Sequence, residues 1–211
     1  MHVKEGKSVW QFPWQLFVSE LVGTAALVLV GVPVVILMFG AGSPIPELAP
    51  NEALRRTLTG FVFGTTGALI ALSRVGIESG AHINPAVTLG FWLMQKPESK
   101  TAVCYVLAQF IGAVVGSLSP LAWGAMGRSV EFGATRPSEG FSTGIVLLGE
   151  AASTFLLVGG SCVFLGFRHL HRFTSTMIPP LCALMGPLEA PISGNSMNPA
   201  RTLGSALVSG K

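Results

Sequence analysis

Ser79-Gly80-Ala81-His82-Ile83-Asn84-Pro85-Ala86-Val87-Thr88-Leu89-Gly90 and Ser193-Gly194-Asn195-Ser196-Met197-Asn198-Pro199-Ala200-Arg201-Thr202-Leu203-Gly204 are two copies of one pattern, identical at eight of twelve positions. In each copy Asn-Pro opens a short apolar run. Asn is a good helix N-cap and Pro is favoured at the first helical position. Both copies therefore encode a helix that begins with a polar amide. The following segments, about Pro85–Gln95 and Pro199–Ser209, are too short to cross a bilayer, since eleven residues rise only about 16 Å. Duplicated half-helices place a site near the middle of a membrane.

The surrounding chain is built for lipid. Of 211 residues half are apolar, only 11% are charged, and the mean hydropathy is +0.62. A soluble domain carries about 25% charged residues. Five segments approach the roughly 20 apolar residues that a spanning helix needs: about Trp14–Phe39, Leu54–Val75, Thr101–Trp123, Phe141–Phe167 and Phe173–Ile192. Gly40–Asn51, Gly124–Gly140 and the basic run Arg168-His169-Leu170-His171-Arg172 connect them. The first apolar run is too long for a signal-peptide core and is read as a retained span.

Three spans lie between the two Asn-Pro-Ala copies, so the half-helices enter from opposite faces and their N-termini meet near the midplane. The first repeat covers about residues 1–123 of a single domain, 1–211. The second covers about 141–211 and is incomplete, because the inverted repeat calls for a sixth span after the second half-helix; the expectation is a partial chain. With the N-terminus cytoplasmic, Lys4, Lys7, Arg74, Lys96, Lys100, Arg168 and Arg172 lie inside, against Arg55, Arg56, Arg128, Arg136 and Lys211 outside. That bias is weak but has the usual sign. The net charge of +3 is too small to point to nucleic acid. Cys104, Cys162 and Cys182 form no CxxC pair, and neither metal-ligand spacing nor a nucleophile–base pairing appears, so no cofactor, metal or catalytic residue is expected.

Glu20 and Glu150 stand at matching places in the first and fourth spans, within Ser19-Glu20-Leu21-Val22-Gly23-Thr24 and Gly149-Glu150-Ala151-Ala152-Ser153-Thr154. A carboxylate inside a span is costly and implies a partner. Acceptor-only oxygens suit the loose backbone N–H groups of a re-entrant loop.

Two Asn-Pro-Ala boxes in matched context, with Arg201 directly after the second, closely resemble the aquaporin, or major intrinsic protein, family along essentially the whole chain. The resemblance implies an all-α membrane protein with a right-handed helical bundle, here five spanning helices plus two half-helices. It implies a homotetramer in the cell membrane and passive passage of water or small uncharged solutes, without ions or protons. By the same resemblance Asn84 and Asn198 donate N–H groups to permeating oxygens. Pro85, Ala86, Pro199 and Ala200 join the half-helices. Glu20 and Glu150 scaffold the loops. The backbone of Gly80, Ala81, His82, Ile83, Gly194, Ser196 and Met197 lines the pore.

The family's outer constriction maps to Gly64, Gly186, Asn195 and Arg201, and a slip of one residue would put Phe63 in place of Gly64. Gly, Gly, Asn and Arg would make a wide polar opening and admit something larger than water. Thr202 after Arg201, and Ser205-Ala206, match the water type instead. The expectation is water, with small uncharged polar solutes beside it. The alternatives are a glycerol- or urea-type facilitator and a proton-coupled secondary transporter, for which Glu20, Glu150, Glu189 and Arg201 are the ionisable candidates.

Overall fold

The computed structural model describes residues 11–210, so Lys4, Lys7 and Lys211 of the charge count lie outside the described residues. Those residues are helical, with no strand among them. The long helices are α1 (Trp14–Phe39), α3 (Glu52–Leu72), α6 (Ser99–Gly116), α8 (Thr143–Gly166) and α9 (Thr174–Ser193). The half-helices are α5 (Pro85–Leu93) and α10 (Pro199–Ser209), and α2 (Ile45–Leu48), α4 (Arg74–Ser79) and α7 (Gly124–Ser129) are short.

Only α1, α8 and the run that begins with α6 are both long and apolar enough to cross a membrane. α3 and α9, also read as spans from the sequence, are less apolar. α3 carries Glu52, Arg55 and Arg56 in its first turns, and α9 carries four prolines and Glu189. Both have the length, at 21 and 20 residues, and they pack on each other more extensively than any other pair.

Small residues set that crossing. A Cβ on Gly60 would sit 2.2 Å from the Cys182 carbonyl oxygen, one on Gly64 2.6 Å from Pro179 Cα, and one on Gly186 2.4 Å from the Arg56 carbonyl oxygen. The α1–α6 crossing is built the same way, with Gly112 against Leu21 and Gly116 against Ala25. Such close backbone approach is how helices associate in lipid, where burial of apolar surface supplies no drive.

Other boundaries moved for local reasons. The second segment does not run unbroken to Val75: α3 stops at Leu72, and the Ser73 hydroxyl accepts from Gly76 N to start α4. The stretch after α6 tightens into a 3₁₀ turn at Ser119–Trp123, and part of the expected loop 124–140 is the helix α7. α5 ends at Leu93, with Gln95 at φ +58°. α10 keeps the bounds read from the sequence.

Candidate functional site

Both re-entrant loops have the same unusual backbone. Gly80, Ala81 and Ile83 adopt positive φ, and so do Gly194, Asn195 and Met197. The glycines take the left-handed conformation freely. For Ala81, Ile83, Asn195 and Met197 it costs on the order of 1 kcal/mol each. This strain turns the loop N–H groups to one side and the carbonyls to the other.

The N–H side meets a carboxylate in each repeat. Glu20, fully buried on α1, accepts from Ser79 Oγ at 2.7 Å, His82 N at 2.9 Å, Ile83 N at 2.7 Å and Gln109 Nε2 at 2.7 Å. Glu150 on α8 accepts from Ser193 Oγ at 2.5 Å, Ser196 N at 2.9 Å and Met197 N at 3.1 Å. The three loop positions correspond one to one between the copies.

Gln109 has no second-copy equivalent among the described residues. Its amide also donates to Thr88 Oγ1 at 2.9 Å, and Thr88 Oγ1 lies 3.2 Å from His82 Nδ1. The His82 ring is stacked on Phe91 and edge-on to Tyr105, and the Tyr105 hydroxyl donates to the Ser79 carbonyl at 2.6 Å. The first loop is therefore held more fully than the second. The sequence reading missed this support, although a lone Gln in an apolar span is a signal of the same kind as a lone Glu.

The loop tips touch. Asn84 Nδ2 donates to the Met197 carbonyl at 2.7 Å, and Asn198 Nδ2 donates to the Ile83 carbonyl at 2.9 Å. Each Asn Oδ1 meanwhile caps its own half-helix, Asn84 from Ala86 N and Asn198 from Ala200 N and Arg201 N. One N–H of each amide thus has no partner among the described residues. The side chain that buries the second box in the protein is Ala200, which packs with Val28, Val32 and Ala113.

The Ile83 and Met197 carbonyls each accept one bond, from the opposing asparagine. The carbonyls of Gly80, Ala81 and His82, and those of Gly194, Asn195 and Ser196, accept no hydrogen bond from the described residues. Each loop therefore offers three consecutive acceptors leading to one amide donor.

Of the four expected constriction residues, the structure does not bring Gly64 and Gly186 toward Arg201. Their Cβ directions point into the α3–α9 crossing described above. Phe63, the alternative by one residue, is the one beside Arg201: the guanidinium lies 5.6 Å from its ring centroid. A Cβ on Gly31 would fall 2.2 Å from that ring, so Gly31 makes the room for it. One residue is about 100° on a helix, so Phe63 and Gly64 lie on different faces of α3. Arg201 is buried and its Nη1 is unpartnered, as is Asn195 Oδ1. The pattern-equivalent residues of the first copy, Val87 and Ala81, are apolar.

A duplicated capped half-helix, joined tip to tip over paired carboxylates, is the arrangement of one known family, and its profile, described as major intrinsic protein, matches residues 7–211. The chain belongs to the major intrinsic protein family. It is 37% identical over 205 residues to a probable aquaporin AqpM of Archaeoglobus fulgidus, covering 89% of this chain and 80% of that one. It is 33% identical to an aquaporin AqpM of Methanothermobacter marburgensis with the same coverage, and 29% identical to aquaporin PIP1-1 of Arabidopsis thaliana over 97% of this chain and 71% of that one. Among solved structures, the aquaglyceroporin from Plasmodium falciparum superimposes with a TM-score of 0.73 at 22% identity, over 93% of this chain and 81% of that one. That last likeness is one of fold: this member of the major intrinsic protein family is wound as that channel is.

Proposed function

We propose that this chain forms a passive transmembrane channel for water that also passes small uncharged polar solutes and excludes ions and protons. The observation that carries the reading is the ladder of three free carbonyls, two asparagine amides and three free carbonyls around the joined tips. A water molecule moving along such a line exchanges one fixed partner for the next, which keeps the cost of leaving bulk water low.

At the tips each water oxygen accepts from the second N–H of Asn84 or Asn198. A water held there as acceptor turns its own hydrogens outward to the carbonyls on either side, so the hydrogen-bond chain reverses and cannot relay a proton through. Each half-helix adds about half a positive charge at its N-terminus, and the two ends face one another. Arg201 adds a full charge beside Phe63 and opposes cations. In this reading the Phe63 ring beside Arg201 leaves less room than a glycine there would, which favours water over glycerol.

In the same reading the channel sits in the cell membrane as a homotetramer with the ends of α3 and α8 on the cytoplasmic side, where the described cations outnumber the carboxylates. The test is stopped-flow shrinkage of proteoliposomes under sucrose, then glycerol, then urea gradients. Fast shrinkage in sucrose with a low activation energy, indifferent to ion gradients, is the expected result. Shrinkage no faster than that of empty vesicles, or uptake that saturates and follows a proton gradient, overturns it.

A further inference from the structure

The two ends of the bundle carry very different charge. On the end reached by α1, α6 and α9, where the chain enters α2 and α7, four arginines (Arg55, Arg56, Arg128, Arg136) face four glutamates (Glu47, Glu52, Glu131, Glu139). They are largely engaged with one another or with backbone: Arg56 with Glu52, Arg136 with Glu131, and Arg55 with the Ala49 and Pro50 carbonyls. On the other end, among the described residues, five cations (Arg74, Lys96, Lys100, Arg168, Arg172) stand with two glutamates, Glu78 and Glu98.

α3 runs antiparallel to α9, with Gly60 on Cys182 and Gly64 on Pro179, so the C-terminal end of α3 and the start of α9 lie at the same end of the bundle. α5 runs parallel to α8, with Gly90 on Val158 and Met94 Sδ 3.2 Å from Cys162 Sγ, so the two helices end on the same side.

The turn between α8 and α9 is Arg168-His169-Leu170-His171-Arg172, and its two arginines and two histidines are all exposed. Neither arginine has a carboxylate within 4 Å among the described residues. Exposed Phe167 and Phe173 flank it, Phe167 against the His169 ring and Phe173 beneath the Arg172 guanidinium at 4.6 Å. Exposed apolar rings at the ends of a spanning pair suit the acyl side of the membrane surface, and basic side chains beside them are drawn to anionic lipid.

We propose that the α8–α9 turn is a docking surface for the phosphate headgroups of anionic phospholipids, with Arg168 and Arg172 as its principal contacts and Phe167 and Phe173 seated among the upper acyl carbons. The surface is separate from the permeation path and does not depend on which solute the channel passes.

The experiment titrates the purified full chain in neutral detergent with phosphatidylglycerol or phosphatidylcholine and counts bound lipid by native mass spectrometry. Wild type is expected to retain phosphatidylglycerol in preference to phosphatidylcholine. Arg168→Gln and Arg172→Gln are each expected to weaken retention about fivefold and the double variant about 30-fold, on the usual contribution of a basic residue at an anionic surface. Arg128→Gln, at the opposite end, is expected to change nothing, and all variants are expected to keep wild-type water permeability, which certifies their folding. Equal retention by wild type and the double variant overturns the proposal, as does equal retention of the two lipids by wild type. Displacement of the lipid by millimolar glycerol 3-phosphate would mean a site for free phosphate esters and overturns it too.

Discussion

The side-chain amide of Asn84 donates to the Met197 carbonyl at 2.7 Å, across 113 residues of chain, and Asn198 returns the bond to Ile83. The same two side chains cap their own half-helices through Oδ1. Cap and cross-link can therefore be separated by mutation. Asn84→Asp keeps the capping oxygen and replaces the donor with an acceptor facing the Met197 carbonyl. A buried carbonyl without its donor costs about 1–3 kcal/mol. The expected result is a lower unfolding temperature in detergent and loss of most water permeability in proteoliposomes. A variant with wild-type values for both would mean that the cross-bonds are incidental.

The two loop carboxylates are not equally supported, and this sets an order. Glu20 holds four donors and is fully buried, whereas Glu150 holds three. Replacing either by Gln turns one oxygen into a donor that faces a donor. Hydrogen bonds to a charged acceptor contribute about 1.5–3 kcal/mol each, so Glu20→Gln should cost about 3 kcal/mol and Glu150→Gln somewhat less. Thermal unfolding of the two variants side by side reads the order, and a more damaging Glu150→Gln would contradict it.

The parts of this arrangement that the sequence made legible are those written twice. The asparagine caps and the starts of both half-helices follow from the repeated twelve residues. Glu20 and Glu150 stand out because acids are rare in apolar spans. What could not be read depends on rotation and packing. Counting back from Asn84 cannot fix which face of α3 a residue occupies, so Gly64 was expected where Phe63 stands. Gln109 occurs once and leaves no repeat to compare. The glycines that join α3 and α9, Gly60, Gly64 and Gly186, carry no mark in the sequence that separates a helix crossing from a pore wall.

Phe63 and Gly64 give opposite expectations that decide between the two registers. Phe63→Ala removes the ring beneath Arg201 and should raise glycerol permeability more than water permeability, at a stability cost of up to about 3 kcal/mol. Gly64→Ala puts a Cβ 2.6 Å from Pro179 Cα and should destabilise the α3–α9 crossing by about 2 kcal/mol through overpacking, with the glycerol-to-water ratio unchanged. If Gly64→Ala shifts that ratio and Phe63→Ala leaves it alone, the constriction lies on the other face of α3.

Arg201 can be made to resemble the first copy by Arg201→Val, since Val87 occupies the matching position. Its Nη1 has no partner, so removing it orphans no acceptor there, and the lost contact with Phe63 is worth about 1 kcal/mol. The fold should therefore survive with little change in unfolding temperature. The barrier to cations should fall, because the half-helix ends alone carry only about half a charge each. Vesicles loaded with a sodium- or potassium-sensitive dye are expected to show a cation leak absent from wild type, together with a several-fold rise in urea permeability. A variant as tight to cations and urea as wild type would assign the barrier to the asparagine tips and leave Arg201 as a structural residue.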